Sequence, residues 1–127
     1  MIFVDSSYLI AILINNDYHH KRALKLADKV TEKRIINNTV LTETLNSFTK
    51  CGGKLAKELF EMINETHEIQ YLTRKDYQNT IDTYLFYGSS INYSDCTMLE
   101  TMKKLNINKI LSFDSDFDKI KGIKRIY

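Results

Sequence analysis

Short runs of β-branched and aromatic residues alternate along this chain with longer stretches in which apolar residues recur every three or four positions. Ile2-Phe3-Val4 reads as a strand ending at Asp5, and Ser6 and Ser7 cap a helix through Tyr8-Leu9-Ile10-Ala11-Ile12-Leu13-Ile14. That helix is apolar on every side, so it belongs deep in the core or against a partner. Beyond Asn15-Asn16-Asp17, Leu24, Ala27 and Val30 recur at three-residue spacing on an amphipathic helix whose other face carries Lys21, Lys25 and Lys29. Arg34-Ile35-Ile36 reads as a second strand. Asn38 or Thr39 caps the next helix, Leu41, Leu45 and Phe48 form its buried stripe, and Gly52-Gly53 ends it.

The second half continues the alternation. Leu55, Leu59 and Ile63 make another buried stripe, with Lys54–Glu58 and Lys57–Glu61 as surface pairs one turn apart. Glu68-Ile69-Gln70-Tyr71-Leu72 reads as a third strand, followed by a helix that turns Tyr77, Ile81, Tyr84 and Leu85 inward. Gly88-Ser89-Ser90 breaks the chain. Ser94 then caps a helix with Met98, Met102 and Leu105 inward, before the strands Lys109-Ile110-Leu111-Ser112-Phe113 and Lys124-Arg125-Ile126-Tyr127. The alternation predicts a three-layer α/β/α fold around a mostly parallel sheet of four to five strands, with right-handed crossovers. Residues 1–127 are expected to form a single domain, since a chain of this length buries roughly two-thirds of its unfolded surface.

Composition excludes more than it selects. A hydrophobic share of 43% and a charged share of 27% are those of an ordinary globular chain. A net charge of +2 permits nucleic-acid binding without arguing for it. The N-terminal apolar run carries Asp5 inside it and ends in Asn15-Asn16-Asp17, unlike a secretory signal, and no stretch is long enough to span a membrane. The cytoplasm is the expected location. Cys51 and Cys96 have no CxxC spacing and no neighbouring His, so they are read as reduced and structural.

Four acids stand out by position. Asp5 ends the first strand, Asp114 follows the fourth, Glu43 lies about one turn into the helix after the second, and Asp95 occupies the first turn of a helix. In open α/β sheets, ligands gather at the carboxyl ends of the strands, so all four can point into one cleft. Glu43 shares a polar helix face with Asn46, Ser47 and Lys50 and is expected to face away from the core. Two carboxylates about 4 Å apart repel by roughly 4 kcal/mol at an effective dielectric near 20, so four cannot stay ionised together uncompensated. Hard oxygen donors suit Mg²⁺ or Mn²⁺, and such an ion can activate water for phosphodiester hydrolysis. Asp114-Ser115-Asp116-Phe117-Asp118 begins like a calcium loop, but Lys119 stands where the sharp-turn Gly belongs and Arg125 where the bidentate Glu belongs. Asp5 as a phosphoacceptor lacks the second Asp two residues on, where the chain has Ser7.

Phe3-Val4-Asp5-Ser6-Ser7 before an apolar helix, His20-x-x-Ala23, Thr42-Glu43, Ser94-Asp95 and Leu111-Ser112-Phe113-Asp114-Ser115-Asp116-Phe117 together resemble a PIN domain, over essentially the whole chain. In size the chain is similar to the VapC-type toxins of toxin–antitoxin pairs. The resemblance implies a Mg²⁺- or Mn²⁺-dependent endoribonuclease, commonly a homodimer, inhibited by a small antitoxin whose C-terminal segment enters the active-site groove. It implies that Asp5, Glu43, Asp95 and Asp114 are the catalytic, metal-binding quartet, with Asp5 and Asp95 as the foremost ligands. Ser112 would orient Asp114 or a water, and Asp116 would assist or replace Asp114. Lys50, Lys54, Arg74, Lys75, Lys103 and Lys104 are candidate RNA contacts, and no aromatic–basic platform of the kind RNA-binding modules display is legible in the sequence. The apolar first helix is the candidate subunit or antitoxin contact, and the alternatives are a non-catalytic RNA- or protein-binding module of the same fold, or a PIN nuclease of RNA processing rather than a toxin. His19 and His20 are read as surface or capping residues, and His67 has no partner in sequence.

Overall fold

All three residues of β1 (Ile2–Val4) are buried, as a strand covered on both faces requires. In the computed structural model, which describes residues 1–127, β1 is central in a five-stranded sheet. Its partners are β2 (Arg34–Asn37), β3 (Glu68–Gln70), β4 (Lys109–Leu111) and β5 (Lys124–Ile126), in the order β3-β2-β1-β4-β5. Every pairing is parallel, so the expected α/β/α architecture holds with a sheet that is wholly parallel. The edge strands β3 and β5 carry the charged and polar residues that an unpaired edge tolerates.

Six helices connect the strands: α1 (Ser6–Leu13), α2 (His20–Lys29), α3 (Asn38–Asn46), α4 (Gly53–Thr66), α5 (Arg74–Phe86) and α6 (Tyr93–Lys104). Three N-caps differ from those expected. Asp5, not Ser6 or Ser7, caps α1 by accepting the Ser6 N–H at 2.8 Å. Asn37, not Asn38 or Thr39, caps α3 by accepting the Val40 N–H at 3.1 Å, while Asn38 Oδ1 accepts the Leu72 N–H. Asn92, not Ser94, caps α6 by accepting the Asp95 N–H at 2.8 Å. Each segment offers several good capping residues in a row, and the one whose backbone is still extended takes the role.

Helix faces were also partly misplaced by periodicity. On α2 the inward residues are Ala23 and Leu26, with Val30 just past its end, while Leu24 is 48% exposed. On α4 Leu59 and Ile63 are buried as expected, and Leu55 sits at the rim. The largest correction is α5, where Tyr77, Ile81 and Leu85 face outward and only Tyr84 packs against the core. Its inner face is polar instead: Asp76 closes a capping box with Thr73 and pairs with Lys104, Thr80 O–H donates to the Asp76 carbonyl, and Asn79 donates to Glu100. Helix α5 therefore packs on α6 through these polar contacts and the edge-on pair Tyr84–Tyr93, and leaves Tyr77, Ile81 and Leu85 in solvent. Of the all-apolar α1, only Tyr8, Leu9 and Ala11 are buried. Gly52, at a φ of +92° that favours glycine, lies between a short 3₁₀ turn and the start of α4, so the helix expected to end at Gly52-Gly53 stops earlier, at Asn46. Both cysteines are free; Cys96 is buried and Cys51 exposed. No helix is long and apolar enough to cross a membrane.

Asn37 ties two site-bearing helices together. Its Oδ1 caps α3, and its Nδ2 donates to Thr101 Oγ1 of α6 at 3.1 Å, with no part of the side chain in solvent. Asn37→Ala removes a cap and a buried hydrogen bond, and is expected to cost about 2–3 kcal/mol in denaturant unfolding. A loss below about 0.5 kcal/mol, the range of a plain surface change, would contradict this role.

Candidate functional site

The carboxyl end of β1 delivers Asp5 into a cage of donors. Asp5 Oδ1 accepts the Ser6 N–H, and Oδ2 accepts the hydroxyls of Ser7 and Ser112, both at 2.7 Å. The two serines are tied to the chain after β4: Ser7 Oγ accepts the Phe113 N–H and Ser112 Oγ accepts the Asp114 N–H, each at 3.0 Å. Burial raises the Asp5 carboxyl, the bonds from Ser112, Ser7 and Ser6 pull it back, and the charge of Asp114 adds to the rise. The net shift is upward. Ser112 thus orients the Asp5 side chain and the Asp114 backbone, where the resemblance implied the Asp114 carboxylate or a water.

Glu43, on α3, is half-buried, and its Oε1 is shielded from solvent with no hydrogen-bond partner. One of its oxygens is thus turned out of solvent and feels the charge of Asp5, which the helix's polar stripe did not reveal. Burial first, then the charge of Asp5, push its carboxyl up to about 7. Asp95, in the first turn of α6, is 5% exposed, and its Oδ2 is likewise buried and unpartnered. Burial pushes it up to about 8, helped in turn by Asp5, Asp114, Glu43 and Asp116.

Asp114 and Asp116 complete the group from the loop after β4. Asp114 Oδ1 accepts the Asp116 N–H at 2.9 Å, which folds the loop so that both side chains turn the same way. Asp95, Asp114 and Asp116 each place one carboxylate oxygen within 4.8 Å of the other two. Lys119 pairs with Asp116 Oδ1 at 2.9 Å and offsets part of that charge. Asp118 is drawn away into a two-point contact with Arg125. The chain therefore gathers all four acids singled out in the sequence, and Asp116 with them. The tightest trio contains Asp116 and omits Asp5, whose oxygens are occupied by hydroxyls and an amide.

Such a set fits a hard divalent cation. Every donor is an oxygen, two buried oxygens lack any partner, and the carboxyls of Asp95 and Glu43 are raised by burial and neighbouring charge. Ser7 is the contributor that sequence reasoning missed; a hydroxyl two residues after an Asp is a familiar local bonding pattern, and that spacing was its signal. The candidate RNA contacts Lys50, Lys54, Arg74, Lys75, Lys103 and Lys104 are all exposed, and Lys104 pairs with Asp76. Lys75, Lys103 and Lys104 border a polar cavity of about 460 Å³, which none of the site acids lines. His20 contacts the Ala11 carbonyl through Nδ1, and His67, with Nε2 buried and unpartnered, is lowered to about 4 chiefly by burial.

The same architecture recurs in solved structures. Mycobacterium tuberculosis VapC20, described as a sarcin-ricin loop cleaving toxin, is 22% identical over 94% of each chain, with a TM-score of 0.83. A chain of a toxin–antitoxin complex from Klebsiella pneumoniae is 15% identical with a TM-score of 0.76, covering 100% of this chain and 97% of that one. One from Rickettsia felis VapBC2, bound to a DNA fragment from its promoter, is 15% identical with a TM-score of 0.71, covering 99% and 98%. At these identities the likeness is one of fold. Among curated proteins no sequence match was found. The sequence model of the PIN domain, however, matches residues 2–123, nearly the whole chain, and on that match the chain belongs to the PIN domain family.

Proposed function

We propose that this protein is a Mg²⁺- or Mn²⁺-dependent endoribonuclease, the toxin of a toxin–antitoxin pair acting in the cytoplasm. The observation that carries the reading is the meeting of Asp95, Asp114 and Asp116 within 4.8 Å, with Asp5 and Glu43 near enough for their charges to act on Asp95, and with Glu43 Oε1 and Asp95 Oδ2 buried without partners. Membership of the PIN family and the likeness to VapC20 support RNA as the substrate. In this reading Asp95, Asp114 and Glu43, with Asp116, hold the cation, and Asp5 completes the quartet. Asp5 is aimed by Ser7 and Ser112, which hold Oδ2 in a fixed direction. When bound, the cation supplies the positive charge that lets water attack a phosphodiester near neutral pH and stabilises the departing oxygen. Lys119 restrains Asp116, and the Asp114 turn fixes the separation of the two loop carboxylates.

The expected protein partners are a small antitoxin and a second copy of the chain. Two apolar surfaces support that expectation: the exposed α5 stripe of Tyr77, Ile81 and Leu85, and an apolar cavity of about 210 Å³ between α1 and α4, bordered by Leu9, Ile12, Leu13, Met62 and Ile63.

Incubation of the protein with total RNA tests the reading. Cleavage is expected with Mg²⁺ or Mn²⁺ and not with chelator, and Asp95→Asn should lower it by on the order of 100-fold or more while the protein stays folded. A folded Asp95→Asn variant with full activity would refute the site, and a wild type inert toward RNA under both metals would favour a non-catalytic binding module.

Stability should report the same repulsion. Asp95 and Glu43 have carboxyls raised in the folded state, so their contribution to stability is complete at acidic pH and is lost as pH climbs through about 7 to 8. In chelator, the thermal midpoint should fall from about pH 5.5 to about pH 8.5, and Asp95→Asn should flatten that slope. Added Mg²⁺ should raise the midpoint most at the alkaline end. A midpoint that rises with pH in chelator would contradict this account of the acids.

A further inference from the structure

Beside the acids the fold assembles a ladder of aromatic rings from three separate parts of the chain. The His19 ring lies flat on Phe113, with centroids 4.3 Å apart and planes 3° from parallel. Tyr18 meets His19 edge-on at 4.8 Å, and Tyr8 of α1 supports Phe113 from within at 6.2 Å. Phe113 stands between Ser112 and Asp114 in sequence, so its Cα lies about 3.8 Å from that of each. Its N–H donates to Ser7 Oγ, the same hydroxyl that holds Asp5, which ties the ladder to the carboxylates through one atom.

The outer end of the ladder is held still and left bare. Asp17 Oδ1 accepts the His19 N–H at 2.8 Å and the Asp17 carbonyl accepts the His20 N–H, while the His20 ring is fixed to the Ala11 carbonyl. These bonds order the α1–α2 loop, yet Tyr18 at its tip is 93% exposed, more than any other large apolar or aromatic side chain. Lys21 and Arg22 follow at once on the first turn of α2, exposed and positively charged. An ordered loop that offers a bare ring, followed in the chain by two cations and braced through His19 on the residue between Ser112 and Asp114, has the makeup of a surface for a single-stranded nucleic acid.

We infer that Tyr18, braced by the stack of His19 on Phe113, is a nucleobase platform that holds an unpaired base of the RNA next to the acidic site and so helps choose where the strand is cut. The inference rests on the nuclease reading and adds to it a positioning residue that makes no contact with the reacting atoms. A base stacks on Tyr18 while Lys21 meets a neighbouring phosphate, with Arg22, whose guanidinium donates to the Tyr127 carbonyl at 2.7 Å, adding positive charge beside it, and a phosphodiester on the same strand is thereby brought to the carboxylates. The lysines named from the sequence could serve any RNA, whereas a ring at a fixed place favours a strand whose base is free to stack there.

The test compares wild type, Tyr18→Ala and Tyr18→Phe on a labelled single-stranded oligoribonucleotide of mixed sequence, for cleavage in Mn²⁺ and for binding in chelator. Tyr18→Ala should raise KM and the metal-free Kd about 5- to 150-fold, the loss of one base stack, with a smaller effect on kcat. Tyr18→Phe keeps the ring and should behave as wild type, and the thermal midpoint should be the same in all three. An abasic nucleotide at one position near the cut should weaken the wild type and leave Tyr18→Ala unchanged. Wild-type KM, Kd and cut sites in Tyr18→Ala, or a defect that Tyr18→Phe does not restore, overturn the platform while the nuclease reading stands. A wild type that neither binds nor cleaves the RNA removes the nuclease reading and the platform with it.

Discussion

Mutual repulsion among carboxylates at the carboxyl end of the sheet is the constraint around which the rest of the molecule is arranged. Asp95, Asp114 and Asp116 bring oxygens within 4.8 Å of one another, and each such pair, if ionised, opposes folding by roughly 3–4 kcal/mol at an effective dielectric near 20. Burial adds to the strain on Asp5, Glu43 and Asp95, whose carboxyls are all raised by desolvation. Nothing in packing requires these groups to meet. Separate elements nonetheless carry them to one place, and the fold must hold them there against their own charge.

The holding is done by short hydrogen bonds from uncharged donors and by a rigid parallel sheet. Ser7 and Ser112 both donate to Asp5 Oδ2 and accept from the backbone of Phe113 and Asp114, so the ends of β1 and β4 are locked at the point where the acids emerge. Asn37 performs a similar service between α3 and α6, which carry Glu43 and Asp95. Only Lys119 brings a cation directly onto the cluster, at Asp116. The serines and Asn37 fix geometry while leaving the charge of the acids largely uncompensated, the state in which a divalent ion gains most by binding. The aromatic ladder is built on the same anchor, because Phe113 reaches Ser7 through its N–H.

Much of this was legible in the sequence, and the failures have physical reasons. The four acids could be placed because strand ends and helix starts are marked by local chemistry and because parallel sheets open their ligand sites at one end. The caps were displaced by a residue or two, since Asp5, Ser6 and Ser7, like Asn37, Asn38 and Thr39, can all serve and the backbone decides among them. The Tyr77, Ile81 and Leu85 stripe was found but pointed the wrong way: periodicity shows that a face is apolar without showing what covers it, and here Asp76, Thr80 and Asn79 claim the inner contacts with one another and with α6. The roles of Ser7 and Ser112 depend on a meeting between β1 and β4 across the sheet. The Tyr8, Tyr18, His19 and Phe113 ladder is spread over three segments, so no window of sequence contains it.

The central claim is that these carboxyls converge to hold a divalent cation and give up protons to it. Calorimetric titration of the chelator-treated protein with Mn²⁺ near pH 7, in two buffers of different ionisation enthalpy, measures binding and proton release together. With Asp95 raised to about 8 and Glu43 to about 7, binding should displace protons, and Asp95→Asn should abolish or greatly weaken both signals. Absence of Mn²⁺ binding at millimolar concentration, or binding with no proton released, would contradict the account.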